Sequence, residues 1–189
     1  MPMGCSSLVP YVVSLLEKQD PLHCILDLGI GMGFYGTAIR QWIDKGKHPF
    51  GTWVVGVEGF PEYRNPAWNL YNQIHVQTIQ AYLDNWELSG EKPWDAILLM
   101  DVLEHFPKDD GRILLRRIRN QLGGDTAKLI VGTPAVWMEQ GAAYGNALEV
   151  HHCWWTAEEL AGEGFTIIQQ GTEPNEFGHR MVLGWSPRL

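Results

Sequence analysis

The sequence predicts a doubly wound α/β domain, in which a mostly parallel sheet carries helices on both faces and an antiparallel hairpin at one edge. Apolar runs typical of strands alternate with segments of helical periodicity along the 189-residue chain. The strand-like runs are apolar through their middles, as in strands that are covered on both faces. Two more such runs, joined by a turn-rich segment, end the chain and predict the hairpin.

The predicted strands are short apolar runs bounded by glycine, proline or charged residues. In chain order they are HCILDLG (23–29), TWVVGVEG (52–59), IHVQTI (74–79), WDAILLMD (94–101), AKLIVGTP (127–134), FTIIQQG (165–171) and HRMVLGW (179–185). Ligands of such sheets bind beyond the carboxyl ends of the strands, which directs attention to the residues that follow the first five runs.

The predicted helices lie between these strands and show apolar residues at helical spacing. They are LVPYVVSLLEKQ (8–19) within an N-terminal helical segment 1–20, TAIRQWIDKGK (37–47), DGRILLRRIRNQLGG (110–124) and AEELAGEG (157–164). Thr156 and Glu159 have the spacing of a capping box, and Asp109 and Asp110 are predicted to cap a helix that begins at residue 111. Residues 59–73, with two prolines, are predicted as a loop or short helix.

Composition favours one globular domain that spans residues 1–189 and excludes several classes of protein. Charged residues make up 19% of the chain and hydrophobic residues 45%, which disfavours disorder. A net charge of -8 disfavours nucleic-acid binding, and the lack of a long apolar run disfavours a membrane span. Three widely spaced cysteines favour a reduced, cytoplasmic setting. A homodimer is compatible with the sequence.

A glycine-rich loop follows the first predicted strand, in ILDLGIGMGFYG (25–36). Its spacing has two interpretations. The pattern G-x-G-x-x-G from Gly31 is typical of dinucleotide binding, whereas D-x-G-x-G-x-G from Asp27 places an acid just ahead of the glycines. A carboxylate repels a pyrophosphate and attracts an ammonium group, so Asp27 favours a cofactor that carries an amino acid, such as S-adenosylmethionine. Glu58, at the end of the second strand, suits the ribose hydroxyls of either cofactor.

The order of these motifs resembles that of class I S-adenosylmethionine-dependent methyltransferases. The matching parts are the D-x-G-x-G-x-G loop, the acid at the end of the second strand, DVLEHF (101–106), LIVGTP (129–134) and the antiparallel last strand. The resemblance covers roughly residues 20–185. It implies the Rossmann-like methyltransferase fold, a three-layer α/β/α domain whose seven-stranded sheet has an antiparallel C-terminal strand.

The resemblance also implies S-adenosylmethionine as the cofactor, with the glycines beside its methionine and ribose parts and Asp27 near its amino-acid end. The implied cofactor-binding residues are Asp27, Gly29, Ile30, Gly31, Gly33, Glu58, Gly59, Thr78, Ile79 and Asp101. One position departs from the family pattern. Members often carry an aspartate after the third strand to receive the adenine amino group, where this chain has Thr78.

Two histidines are candidate catalytic residues, since histidine can act as a general base near neutral pH. The first is His105, in Asp101-x-x-Glu104-His105, which resembles the metal-binding acid-x-x-Glu-His segment of ubiquinone-biosynthesis O-methyltransferases. The sequence leaves two interpretations open. These residues could bind a metal, or Glu104 and His105 could only cap and orient the following turn.

The second candidate is His151, in a long connection that we call the acceptor loop, residues 134–155. GNALEVHHCWW (145–155) resembles the H-x-x-x-W stretch of methyltransferases that act on cell-surface sugars and other small molecules. This resemblance implies an acceptor pocket with His151 as base or hydrogen-bond donor. A neutral, packed His151 is an equal alternative, and at least one of Trp154 and Trp155 is expected to fill space beneath the next helix. His75 and His179 are predicted to be structural.

The predicted function is therefore methyl transfer to a small-molecule acceptor at oxygen or nitrogen. The segments available for selectivity, 1–20, 59–73 and 134–155, are rich in aromatic rings and poor in lysine and arginine, which favours a neutral or aromatic acceptor. Two alternatives remain. A nicotinamide-dependent oxidoreductase would need no Asp27, and a non-catalytic cofactor- or partner-binding module would be compatible with Thr78.

Overall fold

The computed structural model describes residues 5–89, 94–123, 125–175 and 178–188. Its strands are β1 Cys24–Leu28, β2 Trp53–Glu58, β3 Gln73–Val76, β4 Ala96–Met100, β5 Lys128–Pro134, β6 Thr166–Gln170 and β7 Met181–Ser186. They form one seven-stranded sheet in the order β3-β2-β1-β4-β5-β7-β6. The first five strands pair in parallel, and β7 is antiparallel to both β5 and β6. The predicted sheet, with its antiparallel C-terminal strand, is confirmed.

Helices cover both faces of this sheet. They are α1 Val9–Glu17, α2 Phe34–Ala38, α3 Ile79–Ser89, α4 Lys108–Arg119 and α5 Ala157–Gly162. One buried cluster joins α1 and α2 to strand residues such as Ile25 and Leu98. The other joins α3, α4 and α5 to residues such as Leu26 and Leu99. Neighbouring strand residues therefore face opposite layers, which explains why the strands are apolar throughout.

Three helices differ from the predictions. Strand β3 ends at Val76, and helix α3, which was not predicted, follows it. The Thr78 hydroxyl accepts a hydrogen bond from the amide of Ala81 at 3.2 Å, so Thr78 caps the start of α3. Helix α4 begins at Lys108, so the prediction that Asp109 and Asp110 cap it was wrong. Both acids lie in its first turn, where negative charge is favourable beside the positive end of the helix dipole. The third is α2, which begins at Phe34 and continues as a π-helical turn, Ile39–Ile43.

Within the predicted segment 1–20, α1 follows a short 3₁₀ turn, Ser6–Leu8. Residues 1–4 of this segment, and Gly124 at the end of the predicted helix 110–124, lie outside the described ranges. Residues 59–73 contain two 3₁₀ turns, Pro61–Tyr63 and Pro66–Leu70. The capping box at the start of α5 is present. No helix of the described ranges is both long and apolar enough to cross a membrane.

Candidate active site

A cavity of about 610 Å³ lies beyond the carboxyl ends of the parallel strands. Residues that follow each of β1 to β5 contribute to its wall, as the position of ligands in such sheets predicts. Ten of the twelve predicted site residues line it: Gly29, Ile30, Gly31, Glu58, Gly59, Thr78, Ile79, Asp101, His105 and His151. Asp27 and Gly33 do not.

The glycine loop after β1 is attached to the end of β2. The amides of Gly29 and Ile30 both donate to the carbonyl of Val57, at 2.8 and 3.1 Å. Gly29 has a φ of +77°, and a Cβ there would lie 2.5 Å from Cγ2 of Val102. Glycine is therefore required at this position, both by the left-handed backbone and by the close approach of the segment that follows β4.

Asp27 is buried within β1 and does not lie on the cavity wall. It is only 2% exposed, and its Oδ2 accepts a hydrogen bond from the Tyr71 hydroxyl at 2.6 Å. The Tyr71 oxygen in turn accepts a hydrogen bond from the amide of Gly36 at 3.0 Å. Burial raises the pKa of Asp27 to about 7, against the lowering effect of the Tyr71 hydrogen bond. Asp27 thus connects β1 to the start of α2, a contact with Tyr71 that sequence reasoning did not identify.

Gly33 also lies behind the wall. It has a φ of +81° and precedes the first residue of α2, and a Cβ there would meet Trp68 and Tyr71 at 3.4 Å. The indole of Trp68 donates to the carbonyl of Gly31 at 2.9 Å. These two aromatic side chains support the glycine loop from residues 66–71, a segment whose aromatic residues were its only sequence signal.

Glu58 presents its carboxylate to the cavity from the end of β2. Its two oxygens accept hydrogen bonds from the amides of Gly31 and Phe60, each at 2.8 Å. Burial raises its pKa, while these amide hydrogen bonds lower it. A carboxylate has about four acceptor positions, so Glu58 can accept further hydrogen bonds from a ligand, such as those of two hydroxyl groups.

Thr78 and Ile79 line the part of the cavity near α3. Because the Thr78 oxygen already accepts from Ala81, it keeps one free acceptor position and its own proton. The neighbouring Gln80 also lines the cavity, and its side-chain amide offers an oxygen that only accepts. Sequence reasoning missed Gln80, because residue 80 followed what looked like a strand.

A second group of residues meets at the other side of the cavity. One potential ligand atom from each of Glu104, His105 and His151 lies within 4.8 Å of the others, and the two imidazole centroids are 4.9 Å apart. Glu104 is 2% exposed and its Oε2 accepts from the Thr133 hydroxyl at 2.8 Å. Asp101 is not a member of this group, although the sequence motif contains it.

Asp101 faces the N-terminal segment instead. Its Oδ2 accepts a hydrogen bond from the amide of Cys5 at 2.7 Å, and its φ of +54° is unusual for a residue other than glycine. Burial raises the pKa of Asp101, and the charge of Glu104 raises it further. Cys5 thus closes one side of the cavity, although nothing in the sequence singled it out.

The acceptor loop is tied to residues 59–73 across the cavity. The Tyr63 hydroxyl donates to Oε1 of Glu149 at 2.9 Å, and the side-chain amide of buried Asn146 donates to the Tyr63 oxygen at 3.4 Å. Gln140 donates to the other Glu149 oxygen at 3.2 Å. The Glu149 carboxylate is therefore held in the cavity wall by neutral groups.

The histidines and tryptophans of this region divide into wall and core. His151 is half-buried on the wall rather than in the core, and burial lowers its pKa. Trp155 is fully buried against Gly111 of α4, which agrees with the expectation that at least one of the two tryptophans is structural. Trp154 is 42% exposed. His179, which was predicted to be structural, is exposed and also lines the cavity. His75 packs against Tyr82, with ring centroids 5.1 Å apart.

The cavity has a strongly acidic wall. Its described lining includes the side chains of Glu58, Asp101, Glu104 and Glu149, and contains no lysine or arginine. Such a wall attracts a cationic ligand and repels a phosphate-bearing one.

Comparison with known proteins identifies the fold. No protein-family model matches the chain, and no curated protein sequence is significantly similar to it. Among solved structures, the N-terminal domain of EvdMO1 with SAH bound is similar with a TM-score of 0.66 at 14% identity, covering 98% of this chain and 83% of that one.

Two further solved structures give the same result. The CurJ carbon methyltransferase has a TM-score of 0.66 at 15% identity, over 96% of this chain and 53% of that one. A TehB-like SAM-dependent methyltransferase from Corynebacterium glutamicum has a TM-score of 0.54 at 20% identity, over 94% and 86%. The chain therefore has the Rossmann-like fold of S-adenosylmethionine-dependent methyltransferases.

Proposed function

We propose that this protein transfers a methyl group from S-adenosylmethionine to a small-molecule acceptor, at oxygen or nitrogen. The acidic cavity carries the proposal, because it combines the glycine loop and Glu58 with a wall whose described residues include no lysine or arginine. A cofactor with a positively charged sulfonium and no phosphate fits such a wall. A nicotinamide dinucleotide does not, since its pyrophosphate would have to lie among carboxylates.

The proposed cofactor contacts divide between three strand ends. The backbone of Gly29 to Gly31 would pass the methionine and ribose parts, Glu58 would accept from the ribose hydroxyls, and Thr78 with Ile79 would contact the adenine. When bound, S-adenosylmethionine supplies a methyl group whose bond to sulfur breaks with its electron pair passing to sulfur, which leaves the neutral thioether S-adenosylhomocysteine (SAH). Asp27 and Gly33 act indirectly in this proposal, by holding the loop in place.

The acceptor is proposed to lie beside His105 and His151. The Nδ1 atoms of these rings face the backbone carbonyls of Val150 and Met138, at 3.3 and 2.7 Å. A carbonyl only accepts, so in the neutral form of each ring Nδ1 carries the proton and Nε2 keeps a lone pair. An acceptor hydroxyl or amine can lose its proton to such a nitrogen, which typically accelerates a reaction by ~10²- to 10⁴-fold. The lowered pKa of His151 keeps it in the neutral form that this role needs.

The same wall restricts the acceptor. Glu149 and Glu104 favour a neutral or cationic molecule over a phosphorylated one. Leu148 borders the space available to the acceptor, and Tyr63 supports Glu149 through a hydrogen bond. Solved structures of the same fold include an O-methyltransferase in complex with apigenin and a mitomycin 7-O-methyltransferase. For this chain we propose an acceptor of comparable, small-molecule size. On the number and spacing of its cysteines we also propose a cytoplasmic location.

Calorimetric titration with SAH, with NAD titrated in parallel, tests the cofactor. We expect SAH alone to bind, with affinity at least about tenfold weaker in Glu58→Gln, a loss of ~1.4 kcal/mol. Glu62→Gln is the matched control, because Glu62 is an exposed acid in the neighbouring 3₁₀ turn and does not line the cavity. Binding of NAD without SAH, or of neither compound, contradicts the proposal. A screen for transfer of isotopically labelled methyl groups then tests turnover.

A further inference from the structure

Three side chains with metal-ligating atoms converge on the acceptor side of the cavity from two separate segments. Glu104 and His105 come from the short turn after β4, and His151 comes from the acceptor loop. One potential ligand atom from each lies within 4.8 Å of the other two. Two imidazoles and one carboxylate form a ligand set that suits divalent transition metals, with further coordination positions left open.

The surroundings of the histidines prepare each ring for ligation. The carbonyls of Val150 and Met138 face the Nδ1 atoms of His105 and His151, which places the proton of each neutral ring on Nδ1 and leaves Nε2 with a lone pair. Metal-ligating histidines almost always donate their other ring N–H in this way. The centroids of the two rings are 4.9 Å apart, so both lone pairs are available in one small region of the cavity.

The carboxylate is prepared as well. The Thr133 hydroxyl donates to Oε2 of Glu104 at 2.8 Å, which orients the carboxylate and leaves its oxygens with lone pairs for a cation. Neither oxygen is paired with a lysine or arginine among the described residues. The nearby carboxylate of Glu149 adds further negative charge to the cavity, which favours a cation.

We propose that Glu104, His105 and His151 bind a divalent transition-metal cation of the class that includes Zn²⁺, Co²⁺ and Mn²⁺. The sequence pattern pointed to Asp101 as the third ligand, whereas the structure replaces it with His151 from the acceptor loop. The site therefore forms only when the acceptor loop lies against the turn that follows β4.

The metal site would serve the proposed methyl transfer, and its role in catalysis rests on that proposed function. A cation in this position polarises an acceptor oxygen and lowers the pKa of its hydroxyl group. The imidazoles then serve as ligands rather than proton acceptors, and the hydroxyl proton passes to solvent. The expected acceptor is consequently a hydroxylated molecule, methylated at oxygen rather than nitrogen.

Titration of the chelator-treated full chain with Co²⁺ tests the site, because Co²⁺ absorption bands report its coordination. Zn²⁺ titration by calorimetry gives the affinity. We expect one cation per chain, and at least about tenfold weaker binding in His105→Ala and in His151→Ala. The matched control is His152→Ala, which removes an exposed histidine of the same wall that is outside the three-residue group, and should bind as the unaltered protein does.

SAH titration of the same variants separates the two proposals. Retained SAH affinity shows that each variant is folded, so that its loss of metal binding reports the ligands. SAH binding without metal binding by the unaltered protein would overturn the metal site and leave the histidines as bases. Metal affinity that is unchanged in His105→Ala and His151→Ala, or equally weakened in His152→Ala, would also overturn it. Metal binding without SAH binding would support the site and contradict the methyl-transfer proposal.

Discussion

Asp27 illustrates how one buried acid can support a loop of the cavity wall without lining the cavity itself. Its carboxyl group is buried and accepts a hydrogen bond from the Tyr71 hydroxyl, whose oxygen accepts one from the Gly36 amide. Because burial penalises the charged form, its pKa rises to about 7 from an ordinary value of 3.8. The folded protein therefore binds a proton at Asp27 at pH values where the unfolded chain has lost it.

Asp27 is expected to make stability depend on pH. An acid whose pKa is raised on folding contributes stability below its unfolded pKa, and that stability is lost as pH rises through the folded pKa. Between about pH 4 and pH 7 the free energy of unfolding should fall by roughly 4 kcal/mol relative to Asp27→Asn, at ~1.4 kcal/mol per pKa unit. Urea denaturation across this range measures the difference. Asp125→Asn, at an exposed position, should not show it, and a flat difference for Asp27→Asn would contradict the buried acid.

Gly29 and Gly46 form a matched pair for the glycine loop. Both have positive φ, +77° and +65°, but a Cβ at Gly29 would lie 2.5 Å from Val102, whereas one at Gly46 would meet nothing within 4 Å. Alanine at Gly46 should cost about 1–2 kcal/mol from backbone strain alone. Alanine at Gly29 should cost a further ~1–3 kcal/mol, because the neighbouring segment must move. Thermal denaturation compares the two variants; equal losses would show that the contact with Val102 relaxes freely.

At the scale of elements, the short helix α2 depends on a buried ion pair in the π-helical turn that continues it. Arg40 donates to Asp44 at 2.6 Å, to the carbonyls of Leu70 and Thr52 at 2.7 and 2.9 Å, and to the side chain of Asn72 at 2.8 Å. This guanidinium thus joins the turn to the start of β2 and to the segment before β3. The aromatic residues that support the glycine loop lie in that same segment.

Replacing Arg40 should destabilise the protein strongly. Arg40→Met leaves the Asp44 carboxylate buried without its cation, which typically costs about 3–5 kcal/mol. The control is Arg117→Met in α4, whose ion pair with Asp84 has the same 2.6 Å separation but is solvent-exposed, and should cost less than ~1 kcal/mol. Chemical denaturation measures both. If Arg40→Met/Asp44→Asn is no more stable than Arg40→Met, the uncompensated charge is not the cause.

At the scale of the whole molecule, the fold gathers negative charge around one cavity. Carboxyl groups from two strand ends and from the acceptor loop meet there, in a chain whose net charge is already -8. The cavity is closed by contacts between segments that no local pattern connects, such as Cys5 with Asp101 and Tyr63 with Glu149. A ligand that bridges these segments should therefore stabilise the fold.

SAH is expected to raise the free energy of unfolding with the logarithm of its concentration once that exceeds its Kd. At a concentration 100 times its Kd the increase should be ~2.7 kcal/mol, because the ligand binds only the folded state. At the same concentration Glu58→Gln should gain less, and Glu62→Gln should gain as much as the unaltered protein. Urea denaturation with and without SAH measures these increments. Equal gains in all three proteins would remove Glu58 from the binding site.

Several features of the candidate site could be predicted from sequence because they depend on neighbours along the chain. The glycine loop follows β1 directly, Glu58 ends β2, and His105 follows β4, so the parallel sheet alone carries them to one edge. Thr78 was predicted to lie at the cavity, where the structure has it, but its role as the residue that caps α3 was not predicted. Its hydroxyl bonds to an amide three residues later, a local signal that was overlooked in favour of a strand.

The sequence by itself determined the sheet, the antiparallel ending, the capping box of α5 and the edge at which a site would lie, because periodicity and turn chemistry are local properties. Only the tertiary structure decided which side chains meet. It buried Asp27 against Tyr71, 44 residues away, and paired His105 with His151 while turning Asp101 towards Cys5. Such meetings depend on the paths of long connections, which are fixed by packing against the whole fold rather than by the residues beside them.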